Sequence, residues 1–219
     1  GKSQAGDRGD MVVLFDWVVG QIEKELEKLN LIENTILIIT SDNGARKTCY
    51  NGLDYGHDSN GPWRGQKADI WEGGHRIPFI IRWPRTIKGN KTSNEPFCLI
   101  DLFRTFAALI NYEMPQNAAE DSVNVLLALL SKNERYFMRE FMVHHSDLGF
   151  FALRQGTWKY INKLGSGGFT QPIRQLPKKH GPKGQLYDLE EDPKEIKNLW
   201  LSEPEIVKEL KEKLEKLKR

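Results

Sequence analysis

An acid and an amide follow a strongly apolar stretch near residue 40 of this chain. Residues 38–44 read IITSDNG, so Asp42 and Asn43 come directly after an apolar run. In an open α/β sheet, ligands gather at the carboxyl ends of strands, where loops leave the sheet. A carboxylate and an amide oxygen suit Ca²⁺ or Mg²⁺, although two oxygens leave a sphere of about six to eight incomplete. Asp42 and Asn43 are therefore candidate metal ligands, while a turn is the simpler interpretation of these four letters alone.

The loop that follows is dense in glycines and cations. Residues 61–67 read GPWRGQK and residues 71–76 read WEGGHR. Glycines let a backbone approach a ligand closely, and Lys67 or Arg64 is suited to hold an anionic oxygen. An ordinary salt bridge of Arg64 or Arg76 with Glu72 is the competing interpretation. The sequence therefore indicates an anion site that Lys67 would serve.

A histidine in the same loop is a second candidate for chemistry. His57 lies in YGHD, and an imidazole can donate to an anionic substrate or act as a general acid near neutral pH. A solvent-exposed loop histidine is the competing interpretation for His57, and it applies equally to His144, His145 and His180. The sequence leaves both interpretations open.

These residues need elements that position them, and the apolar pattern predicts a layered α/β unit over residues 1–148. Apolar residues at three- and four-residue spacing predict an amphipathic helix over residues 10–29 that packs on something. The continuous apolar run before Asp42 predicts a strand covered on both faces. Further elements are predicted as a strand over 77–83, a helix over 101–110, a helical segment over 123–130 and a strand over 142–145.

The texture changes near residue 150, which predicts a small β-rich subdomain over residues 149–219. FFALRQ and TWKYIN flank Gly156 and are typical of a hairpin. A Gly-, Pro- and Lys-rich stretch over 165–184 precedes QLYDLEEDP. The last segment predicts an amphipathic helix, with Ser202 and Glu205 at capping-box spacing.

Composition gives no support to nucleic acid or a membrane as a partner, and neither is expected. Thirty-two Lys and Arg against thirty Asp and Glu give 219 residues a net charge of +2, so charge offers no argument for nucleic acid or an anionic membrane. No apolar run reaches the ~20 residues of a membrane-spanning helix. Cys49 and Cys98 are too few for a zinc site, and whether they form a disulfide stays open.

Four segments, taken in order, resemble the C-terminal part of type I sulfatases. They are LFDWVVGQIEKELEKLNLIENTILIITSDNG, GPWRGQKADIWEGGHRIPFIIRWP, IDLFRTFAALI and QLYDLEEDPKEIKNL. The resemblance implies an alkaline phosphatase-like α/β core with a small C-terminal subdomain that contains an antiparallel sheet and a terminal helix. It implies that Asp42 and Asn43 bind the active-site Ca²⁺ and that Lys67 contacts the sulfate and its bridging oxygen. Residues 72–74 and Arg76 would chiefly shape the loop.

The resemblance also implies parts that this sequence lacks. The family nucleophile is a formylglycine made within a Cys/Ser-x-Pro/Ala-x-Arg signature, and neither Cys49 nor Cys98 fits it. We therefore expect a C-terminal portion that does not hydrolyse sulfate esters alone and that self-associates through uncovered core surface. The expected substrate is a sulfated small molecule or glycan, and the expected location is periplasmic, secreted or lysosomal. A phosphodiesterase or phosphonate monoester hydrolase on the same core, or a non-catalytic binding module, remains the alternative.

Overall fold

The computed structural model describes residues 1–47, 55–130 and 139–218, and Cys49 lies outside them. The predicted helices and strands are present, with bounds that differ by a few residues. In chain order they are α1 (Gly6–Lys28), β1 (Leu37–Thr40), α2 (Glu72–His75), β2 (Phe79–Arg82), α3 (Asp101–Leu109), α4 (Leu126–Leu130), β3 (Met142–His145), β4 (Phe151–Gln155), β5 (Trp158–Ile161), β6 (Gln185–Asp188) and α5 (Pro204–Leu217). A 3₁₀ turn, Ile32–Asn34, links α1 to β1.

The first two strands form a small antiparallel sheet. Leu37 lies opposite Arg82, and Thr40 lies opposite Phe79. In an antiparallel pair, the end of one strand meets the beginning of the other. The segment after β1, which carries the acid and the amide, therefore lies beside the segment before β2, which carries the glycine-rich turn.

Helix α1 forms as predicted, but none of its residues is buried. Its apolar residues lie around most of the circumference between residues 11 and 19, and a helix that is apolar all round is normally buried. The exposed apolar side chains of this helix are Met11, Val12, Val13, Leu14, Phe15, Trp17, Val18 and Ile22. Within the described part of the chain, the expected packing of α1 is therefore limited to a few contacts: Val19 and Leu26 are half-buried, and Glu23 forms an ion pair with Arg82 of β2 at 3.2 Å.

The second sheet is antiparallel, with the strand order β3-β4-β5-β6. Strand β3 precedes residue 148 but pairs with β4, so the sheet draws on both sides of the predicted boundary, which stays a prediction. Helix α5 covers one face and buries Val207, Leu210 and Leu214. The predicted capping box is wrong: no side chain caps α5, and the Ser202 hydroxyl donates to the Leu199 carbonyl instead.

The other face of this sheet packs against the glycine-rich loop. Ile70 and Trp71 are buried in one apolar cluster with Phe150, Ala152, Ile161, Tyr187 and Leu189. The Trp71 indole N–H donates to the Gln185 amide oxygen at 2.9 Å, so the polar tip of this buried ring is satisfied. The C-terminal sheet therefore supports the loop that carries the candidate anion site.

None of the described helices is both long enough and apolar enough to cross a membrane.

Candidate functional site

A cleft of about 350 Å³ brings three of the four predicted site residues together. Asp42 and Asn43 lie on one side, and Lys67 lies nearby on the glycine-rich loop. The remaining lining comes from that loop and from the C-terminal sheet, and comprises Ala68, Gly74, His75, His145, Ser146, Asp147 and Phe169. Residues far apart in sequence therefore meet at one cleft.

Backbone hydrogen bonds hold the segment that carries Asp42 and Asn43 beside the loop that carries Lys67. The Gly44 N–H donates to the Gly74 carbonyl at 3.0 Å, and the Lys67 N–H donates to the Ala45 carbonyl at 3.1 Å. A Cβ on Gly44 would lie 2.0 Å from the Gly73 carbonyl oxygen, so only glycine allows this approach. The final glycine of Ser-Asp-Asn-Gly therefore serves close packing, which the turn interpretation did not require.

Two buried polar side chains brace this arrangement. The Asn60 amide donates to the carbonyls of Ala45 at 2.9 Å and Gly65 at 3.1 Å, and its oxygen accepts the Ala45 N–H. The Asp69 carboxylate accepts the N–H groups of Gln66 at 2.9 Å and Phe169 at 2.7 Å. Because both side chains are buried and satisfied, the lysine loop has a defined position against the rest of the cleft.

The candidate ligand atoms are accessible. Lys67 and Asp42 are exposed, Asn43 is half-buried, and the Asn43 amide N–H donates to the Gly44 carbonyl at 3.1 Å. Over residues 1–47, 55–130 and 139–218, neither Lys67 nor Asp42 forms an ion pair. The same ranges contain no group of three or more His, Cys, Asp or Glu side chains that could hold a metal ion. Asp42 and Asn43 thus offer two oxygens of the right chemistry but no complete coordination sphere.

A pair of histidines backs the cleft. The rings of His75 and His144 lie 4.0 Å apart between centroids, and no partner of the shielded His75 Nε2 is found among the described atoms. Burial, reinforced by the positive charge of Lys159, lowers the pKa of His75 to about 4. Burial and the neighbouring His75 also hold the pKa of His144 well below its ordinary value. Both rings are therefore neutral near pH 7.

We expect the protein to lose stability as the pH falls from about 6.5 to about 4. In that interval the unfolded chain protonates His75 near its ordinary pKa of 6.5, whereas the folded chain does so only near a pKa of about 4. Because the unfolded state binds more protons, the free energy of unfolding decreases, by at most about 3 kcal/mol for this group. Glu195, whose pKa is raised by burial, offsets part of the loss. Thermal unfolding measured from pH 8 to pH 4 checks this.

The matched variants for this test are His75→Gln and His180→Gln. The first removes the shielded ring and should flatten the decline in melting temperature, whereas the second changes an exposed histidine and should not. A melting temperature that stays constant from pH 7 to pH 5 in the unmodified protein would contradict a neutral histidine pair.

A buried cluster of charges anchors the glycine-rich turn to the C-terminal sheet. The Lys159 ammonium is fully buried, 2.9 Å from a carboxylate oxygen of Glu72 and 2.9 Å from one of Glu195. A second Glu195 oxygen accepts the Glu72 N–H at 2.7 Å. Burial would raise the pKa of Glu72, but the charges of Lys159 and Arg76 outweigh it and hold that pKa well below its ordinary value. The cluster therefore fixes the first residue of α2 in its charged form.

The cations of the loop take mostly structural positions. Arg76 forms the expected salt bridge with Glu72 at 2.8 Å and stacks over Trp63 at 3.7 Å. The Arg64 guanidinium stacks over Trp71 at 3.7 Å and donates to the Glu195 carbonyl. Lys67 is therefore the cation of this loop that reaches the cleft.

The structure separates His57 from the other predicted site residues. His57 is exposed and does not line the cleft. Sequence reasoning did not assign Asp147 or Phe169 to the site, and it weighed His145 only as a solvent-exposed loop histidine, although all three line the cleft. His145 and Asp147 could have been identified by the argument used for β1. His145 ends strand β3 and Asp147 follows it, so both lie where polar groups follow the end of a strand.

Comparisons with protein families cover the whole chain apart from its first residue. Residues 2–112 match the family described as "Sulfatase", and residues 65–219 match the one described as "N-sulphoglucosamine sulphohydrolase, C-terminal". An N-acetylgalactosamine-6-O-sulfatase of Bacteroides thetaiotaomicron is 40% identical over 225 residues, which cover 100% of this chain and 43% of that protein. Human steryl-sulfatase is 35% identical over 231 residues, which cover 96% of this chain and 39% of that protein. The chain thus spans less than half the length of these relatives.

Solved structures resemble this fold over nearly its full length. A Bacteroides thetaiotaomicron structure, reported in the context of glycosaminoglycan metabolism, has a TM-score of 0.84 at 38% identity and covers 99% of this chain and 45% of its own. The PsFucS1 sulfatase from Pseudoalteromonas sp. has a TM-score of 0.75 at 27% identity and covers 94% of this chain and 41% of its own.

Proposed function

Because the chain belongs to the sulfatase family, we propose that it supplies part of the active site of an enzyme that hydrolyses sulfate esters. The observation that carries this proposal is the meeting of Asp42, Asn43 and Lys67 at one cleft. Two hard oxygen donors that suit a divalent cation, beside an ammonium that forms no ion pair within the described residues, fit the singly charged sulfate group of an ester. Within this proposal His57 has no part in the chemistry, because it does not line the cleft.

Lys67 has the position and the charge to act on the sulfate group. Its backbone is fixed by the hydrogen bond to Ala45, while its side chain is exposed to the cleft. An ammonium there attracts the sulfate oxygens and stabilises the negative charge that develops on the leaving oxygen as the S–O bond breaks. We therefore assign Lys67 both substrate binding and stabilisation of the transition state.

Asp42 and Asn43 fit a Ca²⁺ site in their chemistry. Both residues line the cleft, and the hydrogen bond from the Asn43 amide to Gly44 uses the nitrogen, which leaves the amide oxygen available to a metal ion. A bound Ca²⁺ would supply positive charge for the sulfate oxygens and for the nucleophile. We propose that an upstream portion of the complete enzyme provides the remaining ligands and the formylglycine nucleophile, so that this chain alone is inactive.

The exposed surface of α1 supports an active site that is shared between this chain and the upstream portion. Its exposed apolar residues would be covered by the upstream portion, and an isolated chain would self-associate through them. The substrate is a sulfated small molecule or a sulfated glycan, and the enzyme acts in the periplasm, outside the cell or in a lysosome. The named relatives act on a sulfated amino sugar and on a sulfated steroid. The two relatives therefore differ in the alcohol that carries the sulfate, and they do not identify the leaving group for this chain.

Calcium dependence of the complete enzyme tests the proposed metal ligands. We expect a chelator to abolish sulfate release and added Ca²⁺ to restore it. Asp42→Ala removes a charged ligand and should raise the Ca²⁺ concentration for half-maximal activity at least about tenfold, since even residues that only orient ligands change affinity about 10- to 100-fold. Calorimetric titration of Ca²⁺ gives the same comparison without turnover.

Asp58→Ala is the matched control for Asp42→Ala. Asp58 is an exposed acid 3.9 Å from Lys47 and does not line the cleft. Equal Ca²⁺ affinities of the unmodified enzyme and the Asp42→Ala variant would overturn the assignment.

A further inference from the structure

Two connections leave the C-terminal sheet at the end of its strands that borders the cleft. His145 pairs with Phe151, Ala152 pairs with Ile161, and Ile161 pairs with Gln185. The turn from β3 to β4 and the long connection from β5 to β6, residues 162–184, therefore start from the same end of the sheet's strands. Since strands lie about 4.8 Å apart, these four strand ends span only about 15 Å. The connection 162–184 is thus placed beside the cleft by the topology of the sheet.

Phe169 is the part of this connection that enters the cleft wall. Its side chain is 47% exposed, yet its backbone is held by the Asp69 carboxylate, which accepts the N–H groups of Phe169 and Thr170 at 2.7 and 3.0 Å. A Cβ on Gly168 would lie 2.4 Å from the Ala68 backbone, so the loop is packed closely against the lysine loop. The backbone of Phe169 is therefore fixed beside Lys67, the Arg46 guanidinium lies over its ring at 5.5 Å from the centroid, and the exposed part of the ring is suited to stack on a ligand ring.

The same connection carries a concentration of positive charge. No Asp or Glu occurs between residues 148 and 187, whereas residues 162–184 contain five Lys and Arg residues. Four of these cations, namely Arg174, Lys178, Lys179 and Lys183, are exposed and form no ion pair with any residue that the structure describes. Unpaired charges of one sign raise the local concentration of ions of the opposite sign. This surface therefore favours a ligand with several negative charges.

Backbone hydrogen bonds tie the start of the basic stretch to the cleft wall. The Ser166 N–H donates to the Pro172 carbonyl, and the Gly167 N–H donates to the Ile173 carbonyl, both at 2.9 Å. Leu164 and Gln175 form a further antiparallel bridge. Arg174 follows Phe169 by five residues, which limits the distance between their Cα atoms to about 18 Å. The aromatic ring and the first cation are therefore parts of one folded loop.

We propose that the connection 162–184 binds an anionic glycan that carries the sulfate, with Phe169 stacking on the sugar next to the cleft and Arg174, Lys178, Lys179 and Lys183 binding charges further along its chain. This proposal rests on the proposed function and narrows its substrate class. A small apolar sulfate would contact Phe169 but would leave the four cations without a partner. A polyanionic chain uses both parts of the connection.

The test compares substrates of different length in the complete enzyme. The probes are size-fractionated chondroitin sulfate oligosaccharides and 4-nitrophenyl sulfate. The triple variant combines Lys178→Glu, Lys179→Glu and Lys183→Glu. It should raise KM for the longest oligosaccharides at least about tenfold, because each exposed ion pair contributes a factor of about two to five. KM for 4-nitrophenyl sulfate should not change. Phe169→Ala should raise KM for every oligosaccharide about tenfold, and Phe169→Tyr should restore it.

The matched control reverses three exposed lysines of α5 to Glu, namely Lys208, Lys211 and Lys216, which gives the same net charge. The proposal is overturned if this control raises KM as much, or if the triple variant affects long and short substrates equally. Should the unmodified enzyme release no sulfate, the proposed function fails. Calorimetric affinities for the same oligosaccharides then decide the binding proposal, which requires weaker binding by the triple variant than by the α5 control.

Discussion

Replacing Lys67 by alanine is expected to lower kcat of the complete enzyme about 10²- to 10³-fold. This is the range observed when one group that stabilises developing charge is removed from an active site. Lys67 lines the cleft with Asp42 and Asn43, and its ammonium forms no ion pair with a carboxylate within the described ranges. Its charge is therefore available to the sulfate and to the leaving oxygen. Initial rates of sulfate release measure the effect.

The dependence on the leaving group separates this role from simple binding. A sugar alkoxide leaves with more localised charge than 4-nitrophenolate, so Lys67→Ala should reduce kcat more for a sugar sulfate than for 4-nitrophenyl sulfate. Lys88→Ala is the control, because Lys88 is exposed and does not line the cleft. Equal reductions for both substrates would mean that Lys67 does not act on the leaving oxygen.

Replacing Lys159 by methionine is expected to destabilise the fold by about 3–5 kcal/mol, the usual cost of removing one partner from a buried ion cluster. The change leaves the carboxylates of Glu72 and Glu195 buried without their shared cation. The melting temperature of a 219-residue chain should fall by roughly 10 °C, and that of the longer complete enzyme should fall by less, because the entropy of unfolding grows with chain length. Differential scanning calorimetry of the complete enzyme and of the variant measures the change.

A second substitution makes this prediction specific. Glu195→Gln in the Lys159→Met background removes one of the two stranded charges and should recover part of the lost melting temperature, because Glu72 keeps its salt bridge with Arg76. Lys88→Met, at an exposed position, should cost little. If the Lys159→Met variant and the unmodified enzyme have the same melting temperature, the charged cluster does not anchor the glycine-rich turn.

The fold was largely predictable because it follows from local apolar patterns. The run ILII gave β1, the letters around Gly156 gave the hairpin of β4 and β5, and the expected α/β fold with an antiparallel C-terminal sheet is confirmed by the sulfatase structures it resembles. Lys159 could not be identified in the same way. It lies in TWKYIN, where a charged residue between aromatics is typical of a solvent-facing position, and its burial depends on two distant glutamates.

The candidate site was predictable only for residues that lie within motifs. Asp42, Asn43 and Lys67 stand in short patterns that suggest their chemistry, and the antiparallel register of β1 and β2 explains why these patterns meet. His145 reaches the cleft from the end of a strand much later in the chain, and Phe169 reaches it from the connection that follows β5. The end of a strand marks His145 as a candidate, but no local pattern places either residue at this cleft, because the contact depends on how the C-terminal sheet packs against the glycine-rich loop.

The preference for sulfate or phosphate esters decides whether the complete enzyme is a sulfatase. The measurement is the ratio of kcat/KM for 4-nitrophenyl sulfate to that for bis(4-nitrophenyl) phosphate, taken with the complete enzyme in the presence of Ca²⁺. Both substrates release the same leaving group, so the ratio reports how the cleft discriminates between the two esters. A sulfatase should give a ratio well above one, and it should retain that preference when the salt concentration is varied. A ratio well below one would mean that the enzyme is a phosphodiesterase built on the same core.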